Sequence, residues 1–209
     1  MKTHLCAILL LVAALSFVSP SQSQADDEGF VSLFNGKDLS DWVIVGKEQG
    51  WAVKDGVIRS EGAMSGKWLR SNKQYEDFVL NVEWRLSKGG NSGVFIRVAE
   101  KGLPWFSGYE VQISNAPRDE KHCTGSLYGF VAVNPRPDES ADKWHKFEIT
   151  CKGTHITVIA DGVKCIDYDQ ASSDKTKTKP MKGYIGLQDS HSSQGHYVEY
   201  RNVKIKELD

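Results

Sequence analysis

Apolar and polar residues alternate with a period of two along much of the chain, and this pattern predicts β-strands. The alternation is clearest in two neighbouring segments, Asn91–Val98 and Gly108–Ser114. Successive strand residues point to opposite faces. One face of the first segment therefore carries Val94, Ile96 and Val98, and the other Asn91, Gly93, Phe95 and Arg97. In the second segment Tyr109, Val111 and Ile113 oppose Glu110, Gln112 and Ser114. The polar second faces, with room left above Gly93, indicate a binding surface.

Short runs of aromatic and β-branched residues recur along the rest of the chain, separated by turn signals such as Asn35-Gly36 and Asp161-Gly162. They predict strands at 42–45, 51–54, 57–60, 77–86, 92–98, 108–114, 126–131, 145–151, 155–160, 163–168, 183–188 and 197–206. About a dozen short strands at this spacing predict an all-β fold, an antiparallel two-sheet β-sandwich or jelly roll. We expect one such domain over residues 26–209.

The N-terminus has the features of a secretory signal peptide over residues 1–25. Lys2 supplies a positive start, 7–18 is apolar, and Ser23-Gln24-Ala25 offers a cleavage site between small residues. The apolar run is short for a membrane span, although a retained anchor is the alternative. We expect an exported protein, periplasmic or extracellular, with no membrane span after cleavage.

The net charge and the cysteines of the chain limit the binding partners and the disulfides that we expect. The formal net charge is −1, and no basic patch suited to a phosphate backbone is present, so nucleic acid is not an expected partner. Cys123, Cys151 and Cys165 follow the leader, so at least one thiol stays unpaired. Cys151 is expected to be buried, with a disulfide to Cys165 as an alternative. No sequence pattern indicates a zinc site, and the oligomeric state is left open.

Two strand positions carry the first candidates for chemistry. Glu110 and Gln112 stand side by side on one face, where a carboxylate serves as acid, base or hydroxyl acceptor and an amide suits vicinal hydroxyls. Arg97 on the neighbouring strand can hold a carboxylate or polarise a carbonyl oxygen. The alternatives are a solvated outer face for the first pair and a structural ion pair for Arg97.

A second group of candidates lies at the end of a late strand and in loops. Gln188 takes the non-core face, and Asp189 and His191 follow where the strand ends. Histidine is suited to proton transfer near neutral pH, although a surface histidine is the plainer interpretation. Trp105, Phe106 and Tyr128 are candidates for stacking on a sugar ring, with core packing as the alternative.

Six ordered motifs resemble the 3-keto-disaccharide hydrolase domain family. They span nearly all of the chain after the leader: Gly29–Trp42, Asn91–Arg97, Gly108–Ile113, Thr124–Gly129 together with Trp144–Cys151, Gly186–Asp189 and Tyr200–Ile205. The resemblance implies a concanavalin- or glucanase-like jelly roll with a carbohydrate-binding sheet. The chain departs from the family's Gln-Ile-x-Asp pattern at Asn115.

The resemblance also implies cleavage of glycosides already oxidised to a ketone at C3. Such a ketone acidifies the hydrogen at C2, so a base can remove it and expel the aglycone. Glu110 or His191 is the expected base, and Arg97 or a bound divalent cation the expected partner of the enolate oxygen. The expected substrate-binding residues are Asn91, Gln112, Tyr128, Gln188, Asp189 and Trp105. A non-catalytic carbohydrate-binding module using the same face is the alternative function.

Overall fold

The computed structural model describes residues 28–209, so the proposed signal peptide lies outside the described residues. Thirteen strands account for nearly all of the regular structure. They are β1 (Val31–Ser32), β2 (Trp42–Val45), β3 (Trp51–Lys54), β4 (Val57–Glu61), β5 (Trp68–Tyr75), β6 (Phe78–Leu86), β7 (Asn91–Val98), β8 (Tyr109–Ser114), β9 (His145–Lys152), β10 (His155–Ala160), β11 (Val163–Asp169), β12 (Gly183–Gln188) and β13 (Tyr197–Glu207). The single α-helical turn among these residues is α1 (Pro104–Ser107).

The strands form two antiparallel sheets. The eight-stranded sheet has the order β11-β10-β9-β6-β13-β4-β3, with β1 also paired to β13, and the five-stranded sheet has the order β2-β5-β12-β7-β8. Apolar side chains of both sheets fill the space between them, including Leu69, Trp84, Tyr109, Phe147 and Tyr200. Each fully buried aromatic contributes roughly 1.5–3 kcal/mol relative to an exposed one. The predicted all-β, two-sheet sandwich is therefore confirmed.

Most predicted strands are present within a residue or two, but one of them is absent, and β1 and β5 were not predicted. The expected strand 126–131 is a tight turn in which Leu127 makes only isolated bridges, to Val111 and Val131. Gly125 and Gly129 both adopt positive φ and bend the chain there. The eight-residue strand β5 was not predicted, because its sequence has no alternation and no β-branched residue.

A β-bulge in β7 changes which residues share a face. Phe95 pairs with Gly186 and Val98 with Tyr184, so β7 takes three steps where β12 takes two. Arg97, with φ of +52°, sits in the bulge. An inserted residue reverses the alternation beyond it. Val98 accordingly packs with Trp68 and Phe95 in an apolar cluster on the outer face of the five-stranded sheet, whereas it was predicted to point to the core.

The described residues include no helix that is both long and apolar enough to cross a membrane. The cysteines among them, Cys123, Cys151 and Cys165, are buried and free. The predicted burial of Cys151 is confirmed, and the alternative disulfide to Cys165 is not formed.

Candidate functional site

A cleft of about 500 Å³ lies on the outer face of the five-stranded sheet. The cleft is lined by residues on or next to β2, β5, β7 and β12 and by the loop that contains α1. These residues are Val45, Ser65, Lys67, Trp68, Phe95, Gly102, Leu103, Pro104, Trp105, Gln188, Asp189 and His191. Trp68 and Phe95 form the floor, with ring centroids 5.6 Å apart and an interplanar angle of 87°. Gly186 has no side chain, which leaves room for the Trp68 ring between the two strands.

Glu110 lies beside this floor, on the adjacent strand. It is the direct cross-strand neighbour of Phe95, and its backbone oxygen accepts a hydrogen bond from Tyr128 N at 2.9 Å. A Cβ at Gly93 would lie 2.5 Å from Glu110 Oε1 and 2.7 Å from its Cγ. The space above Gly93, expected to admit a ligand, is therefore occupied by the Glu110 side chain.

The Glu110 carboxyl is poorly solvated. The residue is 4% exposed, and within residues 28–209 no side-chain or backbone group donates a hydrogen bond to its carboxylate. Burial raises the pKa of Glu110 to about 8, against a smaller opposing effect of Arg118. When ionised, such a carboxylate is a far stronger base than a solvated one, and its pKa lies near neutral pH.

Gln188 and Asp189 place two buried acceptors at the polar end of the cleft. Gln188 is 7% exposed and Asp189 is 5% exposed. Gln188 Oε1 and Asp189 Oδ1 have no hydrogen-bond partner among the described residues. Buried polar atoms are rarely left unpaired without a reason. Both oxygens are therefore suited to accept hydrogen bonds from a bound ligand.

The second Asp189 oxygen fixes the side chain in place. Lys67 N donates to Asp189 Oδ2 at 2.7 Å, and Asp189 N donates to Lys67 O at 2.8 Å. Burial raises the pKa of Asp189, while the hydrogen bond from Lys67 N and the nearby His191 act in the opposite direction. One Asp189 oxygen is thus held by the protein, and the other is buried without a partner among the described residues.

His191 and the side chain of Lys67 lie at the rim. Both residues are exposed and line the cleft. The His191 backbone is held by a 2.9 Å hydrogen bond from its N–H to Asn91 O. The structure therefore brings the predicted residues Gln188, Asp189 and His191 to one end of the cleft.

Gln112 does not face a ligand as predicted. Gln112 is 1% exposed, and its Nε2 donates to Asn91 Oδ1 at 3.2 Å and to His122 O at 3.3 Å. Gln112 Oε1 accepts from Ile113 N. Because the amide is fully used by the protein, Gln112 holds Asn91 and the loop at His122 in place.

Arg97 does not share a face with Glu110, and the prediction that places it there is wrong. The bulge turns its guanidinium to the end of the sandwich, where the residue is fully buried. Arg97 donates to Gly153 O at 2.8 Å and to Glu76 O at 3.1 Å, and lies 3.4 Å from Asp77 Oδ1. These contacts tie together connections on both sheets, so Arg97 is a framework residue.

The three predicted stacking residues differ in position, and Phe106 does not line the cleft. Trp105 lines the cleft and is 37% exposed. Tyr128 is half-buried and follows Leu127, the bridge partner of Val111, so it lies opposite Glu110 on the same face. Its ring packs edge-on against His122, with centroids 4.9 Å apart. Tyr128 and Glu110 are thus neighbours along the backbone, and neither is part of the cleft lining.

A family model for the 3-keto-alpha-glucoside-1,2-lyase-like domain matches residues 29–206. The chain belongs to this family. The resemblance inferred from the ordered motifs is thereby confirmed, and the match covers both sheets and the whole cleft.

Individual relatives agree with this assignment. A protein of Bacteroides thetaiotaomicron named 3-keto-disaccharide hydrolase is 26% identical over 90% of this chain and 81% of its own. A crystal structure of a glycosyl hydrolase, described as putative in its name, from Parabacteroides distasonis has a TM-score of 0.76 at 24% identity, covering 86% of this chain and 99% of that one. A Bacillus licheniformis beta-glucanase has a TM-score of 0.52 at 16% identity, covering 78% and 84%. The two solved structures show the shared jelly-roll fold.

Asn115, where the chain departs from the family's expected pattern, has a structural role. Its Oδ1 accepts from Gly90 N at 3.1 Å and its Nδ2 donates to Ser87 O at 3.0 Å. An aspartate could not make the second bond, because a carboxylate only accepts. The asparagine therefore fits the loop between β6 and β7 in this family member.

One cluster of potential metal ligands is present among residues 28–209, far in sequence from the cleft residues. Ligand atoms of Asp138, His145 and Asp161 lie within 4.8 Å of one another. Each is already engaged: Lys143 pairs with Asp138, and the two His145 ring nitrogens lie 2.6 Å from Asp161 Oδ2 and 2.9 Å from Ser140 O. These contacts account for the cluster as part of the framework.

The sequence pattern did not identify several cleft residues. Trp68 begins β5 and Lys67 precedes it, and this strand was not predicted. Leu103 lies in a loop. Phe95 was placed on the correct face but given no role. A tryptophan at the end of a polar run was the only signal for Trp68, and aromatic residues in a sandwich are more often core.

Proposed function

We propose that this chain cleaves glycosides whose sugar carries a ketone at C3. Family membership and the relative named 3-keto-disaccharide hydrolase support this substrate class. The observation that carries the mechanism is the buried Glu110 carboxyl, with no hydrogen-bond donor among the described residues and with its pKa raised to about 8. A base of this strength matches removal of a proton from carbon next to a ketone.

The reaction is an elimination across C1 and C2. The Glu110 carboxylate takes the C2 proton, and the electron pair of that C–H bond moves toward the C3 ketone to give an enolate. As C1=C2 forms, the C1–O bond breaks and its electron pair leaves on the aglycone oxygen. Water then adds to the double bond: its oxygen bonds to C1 and its proton passes to His191, which has given its own proton to the departing aglycone. Glu110 returns the proton it has taken to C2, and the net reaction is hydrolysis.

The cleft residues beside Glu110 bind and orient the sugar. Gln188 Oε1 and Asp189 Oδ1, without partners among residues 28–209, accept hydrogen bonds from sugar hydroxyls. A site built to hold such hydroxyls strongly disfavours ligands that lack them. Lys67 supplies positive charge toward the enolate oxygen in place of Arg97, and His191 at the rim supplies a proton to the departing oxygen. A divalent cation remains a proposed alternative for the enolate.

The test is aglycone release from a panel of 3-keto-glucosides, with and without a chelator. Glu110→Gln keeps the shape of the side chain and removes the base, so we expect kcat to fall at least about 100-fold. Glu100→Gln, at an exposed position outside the cleft, is the matched control and should retain wild-type rates. Wild-type rates in the Glu110→Gln variant would refute the assignment of the base. Sugar binding without any turnover would favour the binding-module alternative.

We also propose that the protein is exported and acts in the periplasm or outside the cell. The leader-like pattern of residues 1–25 supports this proposal. N-terminal sequencing of the protein recovered from its native host would test it. A first residue at position 26 is expected, and an intact Met1 start in the cytosolic fraction would contradict it.

A further inference from the structure

The cleft is polarised along its length. Its polar end is formed by Gln188, Asp189 and His191, and its other end by Leu103, Pro104 and Trp105. The residues at this second end carry no carboxylate, amide, hydroxyl or amine on their side chains. Between the two ends lies the aromatic floor. A ligand that fits the whole cleft therefore has one hydroxyl-rich end and one apolar end.

The apolar end is an exposed surface held in a fixed position. Leu103 is 57% exposed and Trp105 is 37% exposed. Exposed apolar side chains clustered on one loop commonly mark a binding surface. Phe106 N and Ser107 N both donate to Leu103 O, at 3.0 and 2.8 Å, which closes the helical turn.

Lys179 holds the far side of the same loop. Its ammonium donates to Phe106 O and Gly108 O and lies 4.2 Å from the centre of the Phe130 ring. Two backbone carbonyls from α1 and its C-terminal end are thus bound to one half-buried cation. The exposed indole and leucine side chains are consequently presented by a fixed turn.

A second sugar is poorly matched to this end of the cleft. Its hydroxyls would lose water, and in return the side chains of Leu103 and Pro104 offer no hydrogen bonds and the Trp105 indole offers a single N–H donor. Unpaired hydroxyls are costly to bury. A planar apolar group instead matches an indole face and aliphatic side chains.

We propose that Leu103 and Trp105 form an aglycone subsite for an aryl or similarly planar apolar group, so that the preferred substrates are 3-keto-glycosides of aromatic alcohols. This inference rests on the proposed function for the identity of the sugar. The sugar lies at the Gln188–Asp189 end beside Glu110, and the aglycone lies on Trp105. Bond cleavage then releases the aryl group toward the open loop.

The kinetic test compares phenyl and methyl 3-keto-glucosides as substrates, in both anomeric forms. Trp105→Ala should lower kcat/KM for the phenyl substrate about tenfold or more and change the methyl substrate less than about twofold. Phe106→Ala is the matched control, because Phe106 is on the same loop, is 71% exposed and does not line the cleft. It should leave both substrates near wild-type rates. Equal losses on both substrates in Trp105→Ala would overturn the proposal.

A binding arm separates this proposal from the proposed function. Calorimetry with unoxidised phenyl and methyl glucosides needs no turnover. Wild-type protein and Phe106→Ala should bind the phenyl glucoside about tenfold more tightly, and Trp105→Ala should lose that preference. Equal affinity of wild-type protein for the two glucosides would overturn the subsite. Failure to cleave any 3-keto-glucoside, with the phenyl preference intact, would overturn the reaction alone and support the subsite.

Discussion

At the scale of single residues, the cleft depends on how each side chain's hydrogen-bonding capacity is used. Glu110 and Gln112 are two positions apart on one strand and looked equivalent in sequence. In the structure Gln112 makes three hydrogen bonds within the protein, whereas the Glu110 carboxylate accepts none from the described residues. The chemistry therefore belongs to the carboxylate that the fold leaves unsatisfied.

The raised pKa of Glu110 predicts a pH dependence with a definite sign. Only the ionised carboxylate accepts the C2 proton, and burial holds the pKa at about 8. We expect kcat/KM for a 3-keto-glucoside to rise about tenfold per pH unit below 8 and to level off above it. A pH profile of kcat/KM from about 5.5 to 9.5, a range that brackets the pKa of Glu110, checks this dependence. A rate that falls with rising pH through 8 would show that the protonated form acts instead.

Sequence could name the cleft residues only in part, because partners decide their roles. The pattern places Gln188 and Asp189 correctly at the end of a strand, and it identifies Glu110 as outward-facing. It does not show that Lys67 N binds one Asp189 oxygen and leaves the other free. That depends on a contact between residues 122 positions apart, for which a single sequence carries no local signal.

At the scale of elements, alternation was a sound guide wherever strands are regular. Most strands of both sheets lie where the pattern predicts them. It failed for β5, whose polar run from Arg70 to Gln74 has the composition of a loop. This strand forms because β2 and β12 flank it on both sides, so pairing overrides its weak propensity.

Arg97 gives a test at the element scale, because it links the bulge to connections on both sheets. Arg97→Met should lower the free energy of unfolding by about 3–5 kcal/mol, since Asp77 and two carbonyls lose their buried cation. Arg201→Met, at a half-exposed arginine paired with Glu83, is the control and should cost about 1 kcal/mol or less. Denaturant titration of both variants measures the difference. Equal, small losses would show that the Arg97 cluster contributes little.

At the scale of the whole molecule, the two sheets have different tasks. The eight-stranded sheet carries surface ion pairs such as Lys164 with Asp167 and Arg201 with Glu83, which contribute little to stability individually. The five-stranded sheet carries the cleft. Stability therefore depends chiefly on the apolar layer that the two sheets share.

The three cysteines of the sandwich report on the integrity of that layer. Burial raises the pKa of Cys151 to about 12 and that of Cys165 to about 11, and all three thiols are free. In a Cys6→Ser chain, we expect a thiol reagent to react at least about 1,000-fold more slowly with native than with denatured protein. Absorbance of the released reagent measures both rates. Rapid labelling of native protein would mean that the sandwich opens readily.

The bulge at Arg97 has a consequence for comparing this chain with its relatives. Before the bulge, odd-numbered residues of β7 lie on the outer face of the sheet, and beyond it Val98 does. An alignment that treats β7 as a regular strand would assign Arg97 to the catalytic surface and Val98 to the interior, reversing both. In relatives without the extra residue, the same alignment columns describe different surroundings. If this arginine were invariant across a set of chains, the invariance would reflect its role in stabilising the fold. It would not be evidence for a role in catalysis.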